Sequence, residues 1–118
     1  MASVLLAEDT PLQANIIQSF LSDYCTSFKC ANNGEEAVWF ASVYNPDIAI
    51  IDLNLPEKSG FQATKQIKQI DSDIKIVVST AYDSEQTIQR AINMGADDYL
   101  IKPYTRNDLI DSIESVIE

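Results

Sequence analysis

Short runs of aliphatic residues, separated by segments with helical periodicity, limit the folds that this chain can adopt. Three of the runs are aliphatic at all or nearly all positions: Val4–Ala7, Ile48–Ile51 and Ile74–Val78, the last of which contains Lys75. A strand with one solvent-exposed face alternates apolar and polar residues, whereas a strand of a parallel sheet is covered on both faces and is apolar throughout. Thr26–Cys30 and Asp98–Ile101 also have the length of strands. The pattern therefore predicts five strands in a parallel sheet with helices on both faces.

The segments between these runs are predicted to be the helices. Each has apolar residues at the three- and four-residue spacing of an amphipathic helix. The predicted inward faces, in chain order, are Leu12, Ile16, Phe20 and Leu21; Ala37, Val38 and Ala41; Phe61, Thr64 and Ile67; Ile88, Ala91 and Ile92, before an end at Gly95; and Leu109, Ile110, Ile113, Val116 and Ile117. Trp39 and Phe40 lie off the face of the second helix, so at least one of them should be exposed. Five alternations of strand and helix predict a doubly wound α/β fold.

The composition excludes several classes of function. Eighteen Asp and Glu against 8 Lys and Arg give a formal charge of -10, the opposite of a nucleic-acid-binding surface. No apolar run approaches the roughly 20 residues of a membrane span, and the N-terminus lacks the basic region of a signal peptide. We therefore expect a cytoplasmic protein that binds neither nucleic acid nor membrane.

Cys25 and Cys30 are the only cysteines, and the chain contains no His. Five residues of extended strand span roughly 16 Å, well beyond the Cα separation of about 7 Å that a disulfide tolerates. We therefore predict two reduced, unpaired thiols. The lack of further Cys and of His also argues against a zinc site of the usual kind.

Polar side chains stand at the carboxyl ends of four predicted strands. Glu8 and Asp9 follow the first strand, Asp52 the third, Thr80 the fourth and Lys102 the fifth. In an open α/β sheet, ligands bind beyond these strand ends. Crowded carboxylates repel one another and need cations, which Lys102 and a hard divalent metal such as Mg²⁺ would provide. The sequence therefore predicts a metal-assisted site at this edge of the sheet.

Such a site is suited to transferring a phosphoryl group to a carboxylate. Asp52 would attack as the nucleophile and form an acyl phosphate, while the metal and Lys102 neutralise charge. Thr80 would donate a hydrogen bond to a phosphoryl oxygen, and the small Ala81 would leave the approach open. Each residue alone also has a structural interpretation as a helix cap, a turn residue or a solvated cation. Their convergence favours the chemical interpretation.

Four segments of the chain, LLAED, IIDLNLP, VVSTA and GADDYLIKPY, resemble in this order the response-regulator receiver domain of two-component and phosphorelay signalling. The resemblance covers essentially the whole chain, residues 1–118, as one domain. It implies the CheY-like, flavodoxin-like fold: a three-layer sandwich around a five-stranded parallel sheet in the order 2-1-3-4-5. It also implies that Asp52 is the phosphoacceptor. A Mg²⁺ or Mn²⁺ ion would be held by Glu8, Asp9, Asp52 and the backbone carbonyl of Asn54.

The same resemblance implies a conformational switch. Thr80, Ala81 and Lys102 would surround the phosphoryl group. Tyr99 would turn inward as the hydroxyl of Thr80 moves toward it, remodelling the face made by the fourth helix, fifth strand and fifth helix. The bond before Pro103 is expected to be cis.

The implied partner is a sensor histidine kinase or histidine phosphotransfer protein whose phosphohistidine donates the phosphoryl group. The domain would catalyse only its own phosphorylation and dephosphorylation, so it is not classed as an enzyme. A haloacid-dehalogenase-like phosphatase is one alternative, but it would need a second acid where this chain has Asn54. A phosphorylation-independent interaction module of the same fold is the other. The sequence leaves open the kinase, the output, and whether the domain stands alone.

Overall fold

The continuous aliphatic runs form the central strands of a parallel sheet. The computed structural model describes residues 2–117. Its elements are β1 (Ala2–Ala7), α1 (Pro11–Leu21), β2 (Cys25–Ala31), α2 (Gly34–Tyr44), β3 (Ile48–Asp52), α3 (Gly60–Ile70), β4 (Lys75–Thr80), α4 (Glu85–Asn93), β5 (Asp98–Ile101) and α5 (Arg106–Ile117). All neighbouring strands are parallel, and their order is β2-β1-β3-β4-β5. The predicted fold class and strand order are confirmed.

Helices cover both faces of the sheet. Successive side chains of a strand point to opposite faces, so Leu5 and Ala7 join one core cluster while Val4 and Leu6 join the other. The first cluster includes buried residues of α2, α3 and α4, and the second includes buried residues of α1 and α5. Every residue of β3 is buried. This two-sided burial explains why the runs Val4–Ala7 and Ile48–Ile51 are apolar at every position.

The predicted inward face of α1 is wrong in part. Leu12 and Ile16 are 69% and 45% exposed, whereas Ile17 and Leu21 are buried. Phe20 is partly buried against the same core. The helix carries no charged residue, so no charged side marks the outside and the apolar spacing fits more than one face. Packing against the sheet and α5 selects the face that contains Ile17.

The outer helices differ from their predicted patterns at their edges. In α4 only Ala91 is buried, and Ile92, which was assigned to the same face, is 45% exposed. Ile117, at the end of α5, is 40% exposed. On α2, Trp39 is 58% exposed and Phe40 packs against the core, so the prediction that at least one is exposed is confirmed. The α4 helix is therefore attached to the core by a small buried area.

The predicted unpaired state of the two thiols is confirmed. Cys25 and Cys30 are both free thiols. No helix within residues 2–117 combines the length and apolarity needed to cross a membrane.

Candidate functional site

The carboxyl ends of β1, β3 and β5 bring three acids and a lysine together. Carboxylate oxygens of Glu8, Asp9 and Asp52 all lie within 4.8 Å of one another. The ammonium nitrogen of Lys102 lies 2.9 Å from Glu8 Oε1 and 3.1 Å from Asp52 Oδ2. Asp52 is the last residue of β3 and Thr80 the last of β4, so both belong to the strands and do not follow them. The parallel sheet thus places the predicted site residues along one edge.

The acids of this cluster differ in burial. Glu8 is 2% exposed and Asp52 is 8% exposed, whereas Asp9 is open to solvent. Burial raises the pKa of Glu8; the hydrogen bond from Lys102 lowers it, and the nearby Asp52 raises it again. A buried carboxylate with a raised pKa requires positive charge in order to stay ionised. Positive charge near Glu8 therefore favours its ionised form.

Lys102 is the cation at the centre of the cluster. Burial by itself lowers the pKa of Lys102, but hydrogen bonds and attraction to Glu8 and Asp52 outweigh it, and the net shift is upward. Its ammonium group also donates to Gln13 Oε1 at 2.6 Å. Three acceptors therefore take up all three ammonium protons. The lysine is held in a charged state and in a defined position.

Sequence reasoning missed Gln13. Its side chain reaches the site because it lies in the first turn of α1, directly after the loop that carries the acid pair. That position was the available signal, since the first turn of a helix following a strand lies at the ligand edge of such a sheet.

The loop after β3 forms a hydrogen bond with the Asp52 carboxylate. The backbone N–H of Asn54 donates to Asp52 Oδ1 at 3.0 Å. Gly60 packs so tightly here that a Cβ on it would lie 2.2 Å from the backbone oxygen of Asp52. The side chain of Lys58, in the same loop, turns toward α2 and forms an ion pair with Glu35 at 3.0 Å. The ammonium group of Lys58 is therefore paired outside the acid cluster.

Thr80 and Tyr99 lie on the same face of the sheet. Thr80 is buried, and its Oγ1 accepts a hydrogen bond from the backbone N–H of Tyr82 at 3.0 Å. Tyr99 pairs with Val78 in the register of β4 and β5, so its side chain leaves the sheet on the side of Val78 and Thr80. Tyr99 is 37% exposed, and Ala81 is also exposed. The aromatic residue stands outside the core, near the end of β4.

The segment after β5 completes the edge of the site. The peptide bond between Lys102 and Pro103 is cis, as predicted. The Tyr104 hydroxyl lies 3.1 Å from Ser79 Oγ, and burial raises the pKa of Tyr104. These contacts attach the lysine-bearing loop to β4.

The comparisons with known proteins agree on one family. The model of the response regulator receiver domain matches residues 4–114. The chain is 32% identical over 114 residues to the chemotaxis protein CheY of Halobacterium salinarum. That alignment covers 97% of this chain and 95% of the relative. It is 31% identical over 118 residues to the transcriptional regulatory protein CiaR of Streptococcus pneumoniae, but this covers only 52% of CiaR. The chain thus spans nearly all of one relative and about half of another.

Solved structures agree with the sequence relatives. The signal receiver domain of a putative Luxo repressor protein from Vibrio parahaemolyticus superposes with a TM-score of 0.91 at 28% identity, covering 98% of this chain and 89% of that one. The signal receiver domain of a modulated diguanylate cyclase from Desulfovibrio desulfuricans G20 gives a TM-score of 0.88 at 31% identity, covering 99% and 94% of the two chains.

Proposed function

Because this chain belongs to the response regulator receiver domain family, we propose that it accepts a phosphoryl group on Asp52 in a Mg²⁺-dependent reaction. The donor would be the phosphohistidine of a sensor histidine kinase or of a histidine phosphotransfer protein. The observation that carries the proposal is the Asp52 carboxylate, which lies at a strand end between two further acids and a lysine. The extent of the domain over residues 1–118 and a cytoplasmic location are parts of the same proposal.

The residues present fit a divalent metal ion. Mg²⁺ prefers oxygen ligands and keeps several waters, and the cluster offers one carboxylate oxygen each from Glu8, Asp9 and Asp52. The backbone carbonyl of Asn54 is proposed as a fourth protein ligand. Burial and the nearby Asp52 raise the pKa of Glu8, and a divalent ion beside these carboxylates would favour their ionised form. Mg²⁺ or Mn²⁺ would neutralise charge on the phosphoryl oxygens during transfer.

The protein side chains would perform the transfer mainly by positioning. The Asn54 N–H holds one oxygen of Asp52 and Lys102 holds the other, so the carboxylate is oriented before the donor arrives. An Asp52 oxygen forms a bond to phosphorus as the bond from phosphorus to the donor nitrogen breaks, and the imidazole leaves with that electron pair. Lys102 then donates to a phosphoryl oxygen in place of Asp52 Oδ2.

The switch proposed for this domain uses Thr80 and Tyr99. Since the Thr80 oxygen only accepts from Tyr82, its own proton is available for a phosphoryl oxygen. Movement of Thr80 toward Asp52 would vacate space on the face of the sheet where Tyr99 stands partly exposed. The α4 helix buries only Ala91, so it can shift at low cost. The output would be a changed surface made by α4, β5 and α5, read by a target or an output domain.

Intact-mass analysis after incubation with a small phosphodonor tests the proposal. We expect the mass of one phosphoryl group to appear in the presence of Mg²⁺ and to be absent in Asp52→Asn. Asp83→Asn is the matched control, because Asp83 is an exposed loop residue and the substitution makes the same chemical change. If folded protein gains no phosphoryl group under any condition, the phosphorylation-independent interaction module becomes the better interpretation.

A further inference from the structure

The side chain of Gln13 makes a different contact from the one that its sequence position favours. Thr10 is the N-cap residue of α1 and Gln13 lies three residues later, which is the spacing of a capping box. In a capping box the Gln side chain would accept from the backbone N–H of Thr10. That N–H donates instead to Glu8 Oε2 at 3.3 Å, and the Thr10 side chain makes no capping hydrogen bond within residues 2–117. The Gln13 amide is therefore available to the acid cluster.

The contact that Gln13 makes is with the ammonium group of Lys102. Gln13 Oε1 accepts from Lys102 Nζ at 2.6 Å, which is shorter than the distances from Nζ to Glu8 and Asp52. Gln13 and Lys102 both line a cavity of about 180 Å³ between α1 and the loop after β5, next to Pro103. The hydrogen bond thus joins the first turn of α1 to the loop that carries the lysine.

Gln13 differs in charge and in role from the other two acceptors of Lys102. Glu8 and Asp52 are carboxylates and proposed metal ligands, whereas the Gln13 amide is neutral and lies outside the group of acids that could hold an ion. A divalent ion bound by the two carboxylates would draw on their negative charge and would repel the ammonium group. The hydrogen bond to Gln13 is the one of the three for which such an ion does not compete.

Lys102 needs an anchor of this kind because its side chain is flexible. A lysine ammonium group is strongly hydrated and sits on a flexible aliphatic stem, so water competes for its position. Lys102 is 17% exposed, which leaves it open to that competition. In the proposed transfer, Lys102 exchanges one acceptor, Asp52 Oδ2, for a phosphoryl oxygen. A bond to a group outside the reaction keeps the ammonium nitrogen in place during that exchange.

We propose that Gln13 is a positioning residue for Lys102, which it holds at the strand edge when a divalent ion occupies the acids. This inference rests on the proposed function, because the metal site and the phosphoryl oxygen are parts of that proposal. Gln13 does not touch the reacting atoms and acts through Lys102. The first turn of α1 therefore takes part in setting the rate of phosphoryl transfer.

Hydrogen exchange of the Lys102 ammonium protons tests this position without any phosphodonor. Heteronuclear NMR at low temperature detects lysine ammonium groups whose protons exchange slowly, and the signal that is lost in Lys102→Met belongs to Lys102. Gln13→Met is the test variant, because Met has nearly the same length and helix propensity but offers no oxygen. In Mg²⁺ we expect exchange to become about tenfold faster, the protection that one hydrogen bond from a charged donor gives at an exposed position. In metal-free buffer the factor should be smaller, since Glu8 and Asp52 then hold the ammonium group more strongly.

Gln18→Met is the matched control, because Gln18 is an exposed residue of the same helix and the substitution makes the same chemical change. It should leave the exchange rate unchanged. Fast exchange of the Lys102 protons in the unaltered protein would overturn the inference. Equally slow exchange in the unaltered protein and in Gln13→Met would overturn it as well.

Urea denaturation separates this role from helix capping. If Gln13 acts through Lys102, Gln13→Met lowers the denaturation midpoint of the unaltered protein and does not lower that of Lys102→Met further. A capping role would lower both midpoints equally, and that result would overturn the inference.

The rate of phosphorylation connects the position of Lys102 to the proposed function. With phosphoramidate and Mg²⁺ we expect the initial rate of Gln13→Met to be about fivefold lower, because water replaces only part of the lost hydrogen bond. Adding Gln13→Met to Lys102→Met should cause no further loss. Faster ammonium exchange with an unchanged phosphorylation rate would overturn the inference. If the unaltered protein accepts no phosphoryl group, the proposed function fails, while the exchange experiment still decides whether Gln13 holds Lys102.

Discussion

Replacing Lys102 by Met would remove the positive charge on which two buried carboxylates depend. The side chains of Glu8 and Asp52 are 1% and 10% exposed, and Lys102 contacts both at 2.9 and 3.1 Å. Breaking a buried ion pair by removing one partner costs about 3 to 5 kcal/mol, because the remaining charge stays desolvated. The cluster lies at the edge of the sheet and Lys102 is 17% exposed, so the lower end applies. We expect the free energy of unfolding to fall by about 3 kcal/mol in metal-free buffer at pH 7.

The pH dependence of this loss has a definite sign. The hydrogen bond from Lys102 lowers the pKa of Glu8, so its removal raises that pKa further above the ordinary value of 4.5. A carboxyl group with a raised folded pKa holds more protons in the folded state, and stability falls as pH rises above the unfolded value. The deficit of Lys102→Met should therefore be small below pH 4.5 and full near neutrality. Mg²⁺ should restore more stability to the variant than to the unaltered protein.

Urea denaturation followed by circular dichroism measures the effect. With a slope of about 2 kcal/mol per molar urea, a loss of about 3 kcal/mol lowers the midpoint by roughly 1.5 M. Lys65→Met, an exposed substitution of the same kind, is the control and should change the midpoint little. Adding Glu8→Gln to Lys102→Met should recover stability, because one unpaired charge is then gone. An unchanged midpoint at pH 7, or the same loss at pH 4, would refute this account of the cluster.

Three further changes test other parts of the structure. Thr64→Val should raise the free energy of unfolding by about 1 kcal/mol in thermal or urea melts, because Thr64 Oγ1 is the buried side-chain oxygen within residues 2–117 that lacks a hydrogen-bond partner; a loss of stability would contradict this. Gly60→Ala should destabilise by about 2 kcal/mol or more and slow phosphorylation, since its Cβ would meet the Asp52 backbone oxygen at 2.2 Å; wild-type melts and rates would disprove the close packing. The raised pKa of Tyr104 means that the folded state keeps a proton that the unfolded chain loses near pH 10, so stability is full below that pH and declines above it. In Tyr104→Phe, the denaturation midpoint should decline less steeply between about pH 9 and 11 than in the unaltered protein. Equal slopes in the two proteins would contradict this role of Tyr104.

Much of this fold could be read from local pattern. The run Ile48–Ile51 is apolar at every position because both faces of β3 are covered, and it predicted the central strand within one residue. The strand-end positions of Glu8, Asp52 and Lys102 followed from the same pattern, since carboxyl ends of parallel strands meet at one edge. These features are encoded by the spacing of residues along short segments, which a sequence displays directly.

Tertiary packing decided the rest. The choice of Ile17 over Leu12 as an inward residue depended on how α1 rotates against the sheet, and an uncharged helix leaves that rotation unmarked. The contact between Lys102 and Glu8 joins residues 94 positions apart, and its burial depends on elements from both ends of the chain. Likewise Arg90 meets Phe61 only because α4 packs beside α3. Periodicity records which residues share a face of one element, but contacts between elements arise only when their side chains pack together.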